Sequence, residues 1–223
     1  MYDKFSPRVC WPPERFLHPD REITPVSYQP IENYGIIGDL YTVALVGLHG
    51  SIDFMCFPQF DSPSIFAALL DDKKGGCYSI SPEFEKMKTK QLYLPDTNVL
   101  LTRFLSSDGV GEVTDFMPID PKGERKLIRR VTTVRGEVTY KLRCCPRFNY
   151  GRDIHTVKLE SPQEIIFHAD GSNGLSLRLQ GGIPLQVSGS DGIAEFTLAA
   201  GNSVDFLLES AENEVVSAEG LAG

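Results

Sequence analysis

The chain has 223 residues, 41% hydrophobic and 23% charged, with a formal net charge of −8 and a pI near 5.0. That length can bury a full core and that balance excludes wholesale disorder, while the acidic surplus excludes a nucleic-acid partner, whose phosphates need a Lys/Arg excess on some face. No apolar run approaches the ~18 residues needed to cross a bilayer, so no membrane partner is expected either.

Residues 1–27 read as a Pro-rich N-terminal arm. Pro7, Pro12, Pro13, Pro19 and Pro25 interrupt any helix or central strand there. Trp11, the only tryptophan, is expected to pack the arm onto the body. The opening MYDKFSPRVCWPPERF has no apolar h-region, so no signal peptide is expected. Five cysteines without C-x-x-C or Cys/His metal spacing read as reduced thiols of a cytoplasmic protein. No metal or other cofactor is expected.

The densest stretch is 34–71. Residues 42–47 and 51–57 read as two apolar strands joined at Leu48, His49 and Gly50, with Gly50 supplying a positive φ. Period-two alternation puts Ile52, Phe54 and Cys56 on one face and Asp53, Met55 and Phe57 on the other. Pro58 ends the second strand, and Gln59, Phe60, Asp61 and Ser62 form a loop. A short helix is predicted over 63–70, with Ser62 as N-cap, Pro63 at the first position and Ile65, Phe66, Leu69 and Leu70 as its buried stripe.

Strands then dominate. They are predicted at 77–81, 90–94, 98–106, 112–119, 127–135, 138–145, 156–160, 164–169, 175–180, 185–188, 194–199 and 203–209, separated by Gly-, Asp- and Asn-rich turns. Short strands at this spacing with almost no intervening helix predict an all-β fold, a large antiparallel β-sandwich. The basic run KGERKLIRR, residues 122–130, reads as a solvated strand end. The domain is expected to span 28–210, with 211–223 opening a linker.

The chain carries no nucleophile elbow, phosphate-binding loop or zinc-protease motif. His18, His49, His155 and His168 are scattered and read as turn or surface residues. Paired carboxylates remain, the apparatus of glycoside hydrolysis. Asp39, Asp53, Asp61 and Asp115 are the candidates, but each has a structural alternative: Asp39 and Asp61 within their own turns, Asp53 and Asp115 paired with arginines such as Arg103 or Arg147. Phe54, Phe57 and Phe60, with Arg147, Tyr150 and Arg152 of CCPRFNYGR, offer rings and donors for a sugar or fill the core.

The blocks PIENYGIIGDLYTVALVGLHGSIDFMCFPQFDSPSIFAALLD, GGCYSISP, QLYLPDTNVLLTRF, VTDFMPID, LIRRVTTVRGEV and CCPRFNYGRD occur in one order along the chain. In that order they resemble the N-terminal domain of family 15 glycoside hydrolases, the glucoamylase/trehalase-like group. The resemblance implies a β-supersandwich followed by an (α/α)6 barrel that carries the two catalytic glutamates of an inverting α-glucosidase. None of that barrel lies in these 223 residues, so no catalytic residue is carried over and the chain alone is expected to be inactive. Phe54 stands where the family usually has tryptophan, Gln59 where it has arginine, and Asn149 where it has aspartate. Asp53, Phe54, Gln59, Phe60, Asp61, Arg147, Tyr150 and Arg152 are the candidate substrate-rim or barrel-docking residues. The expected partners are the barrel and, weakly, an α-glucoside. The alternative reading is a free-standing carbohydrate-binding or interaction module from a truncated gene product.

Overall fold

The computed structural model describes residues 28–120, 123–171 and 174–211. Its strands are β1 (Tyr34–Gly38), β2 (Val43–Gly47), β3 (Ser51–Cys56), β4 (Ser64–Phe66), β5 (Tyr78–Pro82), β6 (Lys88–Tyr93), β7 (Leu100–Leu105) and β8 (Val110–Phe116). They continue with β9 (Lys126–Arg135), β10 (Glu137–Cys144), β11 (His155–Ser161), β12 (Glu164–Ala169), β13 (Ser176–Gly181), β14 (Gln186–Ser188), β15 (Asp191–Ala199) and β16 (Ser203–Ser210). One sheet runs β1-β2-β3-β5-β10-β15-β14 with β4 added beside β3; the other runs β11-β12-β13-β16-β9-β8-β7-β6. All pairings are antiparallel. The expected all-β sandwich is therefore what the chain forms.

Alternation dictates what fills the space between the sheets. In β9 the inward positions are Leu127, Arg129, Val131 and Thr133; in β8 they include Gly111, Val113 and Asp115. Arg129 and Asp115 sit opposite each other in register and are both fully buried. The Arg129 guanidinium donates from Nε to Asp115 Oδ1 at 2.8 Å and from Nη2 to Oδ2 at 3.2 Å. It also reaches across the core, donating from Nη1 to Tyr78 O at 2.6 Å and from Nη2 to Gly50 O at 2.7 Å. Its carbon lies 4.7 Å from the Tyr78 ring centroid. Burial disfavours its charge, but Asp115 more than offsets that and the guanidinium pKa stays above its ordinary value. One side chain thus joins β9 to β5 and to the β2–β3 turn of the facing sheet. The reading of residues 122–130 as a solvated strand end is corrected at this residue, and Asp115 pairs with Arg129 instead of Arg103 or Arg147.

The predicted helix over 63–70 is also corrected. Residues 64–66 pair with β3, and the backbone N–H of Ala67 and Ala68 donates to Gly75 and Gly76 carbonyls at 2.7 and 3.0 Å. The Gly-Gly pair approaches so closely that a β-carbon on Gly75 would stand 2.1 Å from the Ala67 carbonyl oxygen. That approach gives the segment cross-chain partners for the groups a helix would bond internally. Ile65 and Phe66 are accordingly buried side by side, while Leu70 is 61% exposed.

The faces of β3 differ from simple alternation as well. Leu45 pairs with Phe54 but Val46 pairs with Ile52, so Asp53 is the extra residue of a β-bulge. The bulge brings Ile52 and Met55 together into the core. Gly50 takes the expected positive φ, +77°. Cys56, Cys144 and Cys145 are buried thiols outside any disulfide, whereas Cys77 is disulfide-bonded, contrary to the expectation of reduced thiols throughout. Trp11, His18 and the expected N-terminal arm lie outside the described residues, as do residues 212–223, where a linker was expected.

Neighbouring arginines test this account. Arg129→Met leaves Asp115 buried without its counter-ion and is expected to cost about 3–5 kcal/mol. Arg130→Met removes only a half-exposed pair with Asp205 and is expected to cost no more than about 1 kcal/mol. Urea denaturation of the two variants checks the contrast, and equal midpoints would refute it.

Candidate functional site

Antiparallel register places the ends of β1, β3, β8, β10, β12 and β16 and the starts of β2, β9, β11, β13 and β15 at one end of the sandwich. A pocket of about 310 Å³ opens there. One wall is Phe57, Pro58, Ser62, Pro63, Ser64 and Ile65, a second is Phe148, Asn149 and Asp153, and a third is Ala169 and Leu175. The first wall belongs to one sheet, the third to the other, and the second is the crossover between them.

That crossover holds a single left-handed turn over Phe148–Gly151. Asn149, Tyr150 and Gly151 all lie at positive φ, +53°, +59° and +73°. Two consecutive non-glycine residues in this region are uncommon and carry a steric cost. Bonds from β4 hold them in place. Arg147 N–H donates to Ile65 O at 2.8 Å and Tyr150 N–H donates to Ser64 Oγ at 3.1 Å. The Asn149 amide donates to Asp153 Oδ1 at 3.0 Å.

The candidates divide into two groups. Gln59, Phe60 and Asp61 lie on the exposed loop above the pocket, where Phe60 N–H bonds Tyr41 O at 2.8 Å and Ser62 Oγ accepts Gln59 N–H at 3.2 Å. Arg147, Tyr150 and Arg152 lie on the crossover, with the Arg152 guanidinium 6.0 Å from the Tyr150 ring centroid. Asp53 and Phe54 belong elsewhere. Phe54 is in register with Leu45, and Leu45 with Ile36, forming a row on the outward face of β1–β3. Asp53 accepts from Tyr34 Oη at 2.8 Å and Ser51 Oγ at 2.5 Å, and burial raises its pKa despite both bonds.

Asp39 and Asp191 are equally engaged, whereas Asp61 lies exposed on its loop. Asp39 Oδ1 accepts the N–H groups of Tyr41 and Thr42 at 3.0 and 2.9 Å, an Asx turn, and its other oxygen lies 3.7 Å from Arg125 Nε. Asp191 is held by two arginines, Arg143 and Arg147, each at 2.8 Å. Arg147 is thus a clamp on β15 and not a partner of Asp53 or Asp115; Arg103 instead pairs with Glu112. Sequence reasoning missed Phe148, Asp153, Ala169 and Leu175 as pocket walls, because only the crossover between sheets brings them beside Pro63. Among the described residues no group of three or more His, Cys, Asp or Glu is placed to hold a metal ion. None of their helices is long and apolar enough to cross a membrane.

A family described as trehalase-like, N-terminal, matches residues 23–209, the whole sandwich. The chain belongs to this family. Trehalase 1 of Sulfolobus acidocaldarius is 48% identical over 117 residues, covering 52% of the chain and 19% of the relative. The trehalase of Thermoplasma volcanium is 34% identical over 137 residues, covering 59% and 22%. The trehalase of Mycolicibacterium smegmatis is 28% identical over 199 residues, covering 79% and 30%. The chain therefore spans less than a third of the length of these relatives.

His155 provides a pH test beside the pocket. Its Nε2 bonds Ser190 O at 2.9 Å and its ring packs against Phe148, 5.4 Å between centroids. Burial lowers its pKa below the unfolded value of about 6.5. The unfolded chain then binds more protons just below that value, so this stabilisation is complete above pH ~6.5 and is lost as pH falls through the folded pKa. His155→Gln is expected to flatten the dependence of the urea midpoint on pH between about 7.5 and 5 relative to wild type. Identical slopes would refute the assignment.

Proposed function

We propose that the chain is the non-catalytic N-terminal domain of a family 15, trehalase-like hydrolase. It braces an (α/α)6 barrel that cleaves an α-glucoside, and its residues 58–63 and 147–152 rim the barrel's sugar site. The observation that carries this reading is the engagement of the carboxylates. Glycosidic cleavage needs two carboxyl groups about 5–9.5 Å apart across the scissile bond. The pocket lining includes one, Asp153, already bonded to Asn149. Asp39, Asp53, Asp115 and Asp191 are each tied to turns, hydroxyls or arginines.

The names of the relatives favour trehalose as the parent substrate, with maltose-type glucosides as the family alternative. A cytoplasmic location belongs to the same reading; the three buried reduced thiols suit it and the disulfide at Cys77 does not.

Incubation of the purified chain with trehalose, maltose and isomaltose is expected to release no glucose above the blank. Turnover that co-purifies with the chain would overturn the proposal. Calorimetric titration with a maltooligosaccharide is expected to be flat. Saturable binding weakened by Phe60→Ala or Asp61→Ala would replace the proposal with a carbohydrate-binding module.

A further inference from the structure

The pocket has the size of a small ligand site but the wrong chemistry for a sugar. At about 310 Å³ it stands at the low end of the usual ~300–1,000 Å³ range. A polyol needs many donors and acceptors, and here the polar lining is limited to four side chains, each with one local hydrogen bond already made. Ser62 Oγ accepts from Gln59, Ser64 Oγ accepts from Tyr150, and Asn149 donates to Asp153. The rest of the lining is apolar, with Phe57, Ile65 and Phe148 buried at its floor and Pro58, Pro63 and Leu175 partly exposed.

The same end exposes further apolar groups: Leu40 at 78%, Phe60 at 58% and Ile154 at 77%. Large apolar side chains exposed at the same end as a cleft suit a protein–protein contact. The fold also says which polypeptide arrives there. Ala211, the last described residue, is bonded through its N–H to Ser176 O at 2.9 Å, one residue from the Leu175 wall. Whatever follows the domain therefore leaves beside the pocket, and in the relatives the matched region is only 19–30% of the chain.

We infer that this pocketed end, and not the outward face of β1–β3, is the docking surface for the polypeptide that follows the domain in trehalases, with an apolar side chain of that polypeptide seated between Pro63, Phe148 and Leu175. The inference rests on the proposed function and names its interface.

The test is a chimera in which this chain replaces the matched N-terminal region of Sulfolobus acidocaldarius Trehalase 1. Amide hydrogen exchange is compared between the chimera and the chain alone. Expected are trehalose turnover and roughly tenfold or greater slowing at 57–65 and 148–154, with no change at the opposite-end turns around Gly136 and Gly201. Ser62→Trp, which fills the pocket, is expected to abolish that protection and lower turnover. The same substitution in the chain alone should move its melting temperature by no more than about 2 °C.

An active chimera protected instead on Ile36, Leu45 and Phe54, or indifferent to Ser62→Trp, overturns the interface and with it the rim assigned to 58–63 and 147–152, but leaves intact the proposal that the domain braces a catalytic barrel. A soluble chimera with neither turnover nor protection anywhere, beside an active Trehalase 1, removes both.

Discussion

The two sheets of this domain are held in register by a charged group where an apolar one would be expected. Arg129 leaves β9 between Leu127 and Val131, neutralises Asp115 on its own sheet, and then supplies the donors for two carbonyls of the other. Buried ion pairs are weak sources of net stability, because desolvation consumes most of the Coulombic gain. Their strength is directional. Leu at position 129 would bury as much surface but would accept a range of offsets between the sheets; a guanidinium bonded on both sides accepts very few. The position of the β2–β3 turn relative to β5 and β9 follows from that, and with it the placement of β3 and β4, which build one wall of the pocket.

The fold was largely legible because antiparallel strands declare themselves by alternation and by turn residues. The strand boundaries from 77 to 209 fell within a few residues of those observed. What escaped was whatever depends on contacts distant in sequence. The apolar spacing of Ile65, Phe66, Leu69 and Leu70 satisfies a helical pattern as well as a strand flanked by turns, and only the approach of Gly75 and Gly76 decides between them. The bulge at Asp53 cannot be seen in a period-two reading, yet it reverses which residues of β3 meet the core. Arg129 was legible and was missed. Its place between Leu127 and Val131 on the inward parity of β9, with Asp115 on the inward parity of β8, is a sequence signal, masked by the basic residues around it.

At the candidate site the sequence located the neighbourhood but not the assembly. The loop with Gln59, Phe60 and Asp61 and the crossover with Arg147, Tyr150 and Arg152 are far apart in the chain and do meet, through bonds from β4 to the crossover backbone. Asp53 and Phe54 were grouped with them because they adjoin the loop in sequence, whereas the strand carries them away from it. Arginine 147 shows the same lesson: its role as clamp on Asp191 needs the pairing of β10 with β15, which no local pattern announces.

Because the pocket's three walls belong to one sheet, to the other and to the strained link between them, its width is a gauge of how the two sheets stand toward each other. Anything wedged there grips both layers at once, in the manner of a keystone. A domain built in this way converts an event at its rim into a change in the resistance of the entire sandwich to unfolding, since a group that binds only the closed spacing stabilises every arrangement that preserves it. Residues 149–151, already in a backbone conformation that few side chains tolerate, are where any mismatch in that spacing would first be absorbed.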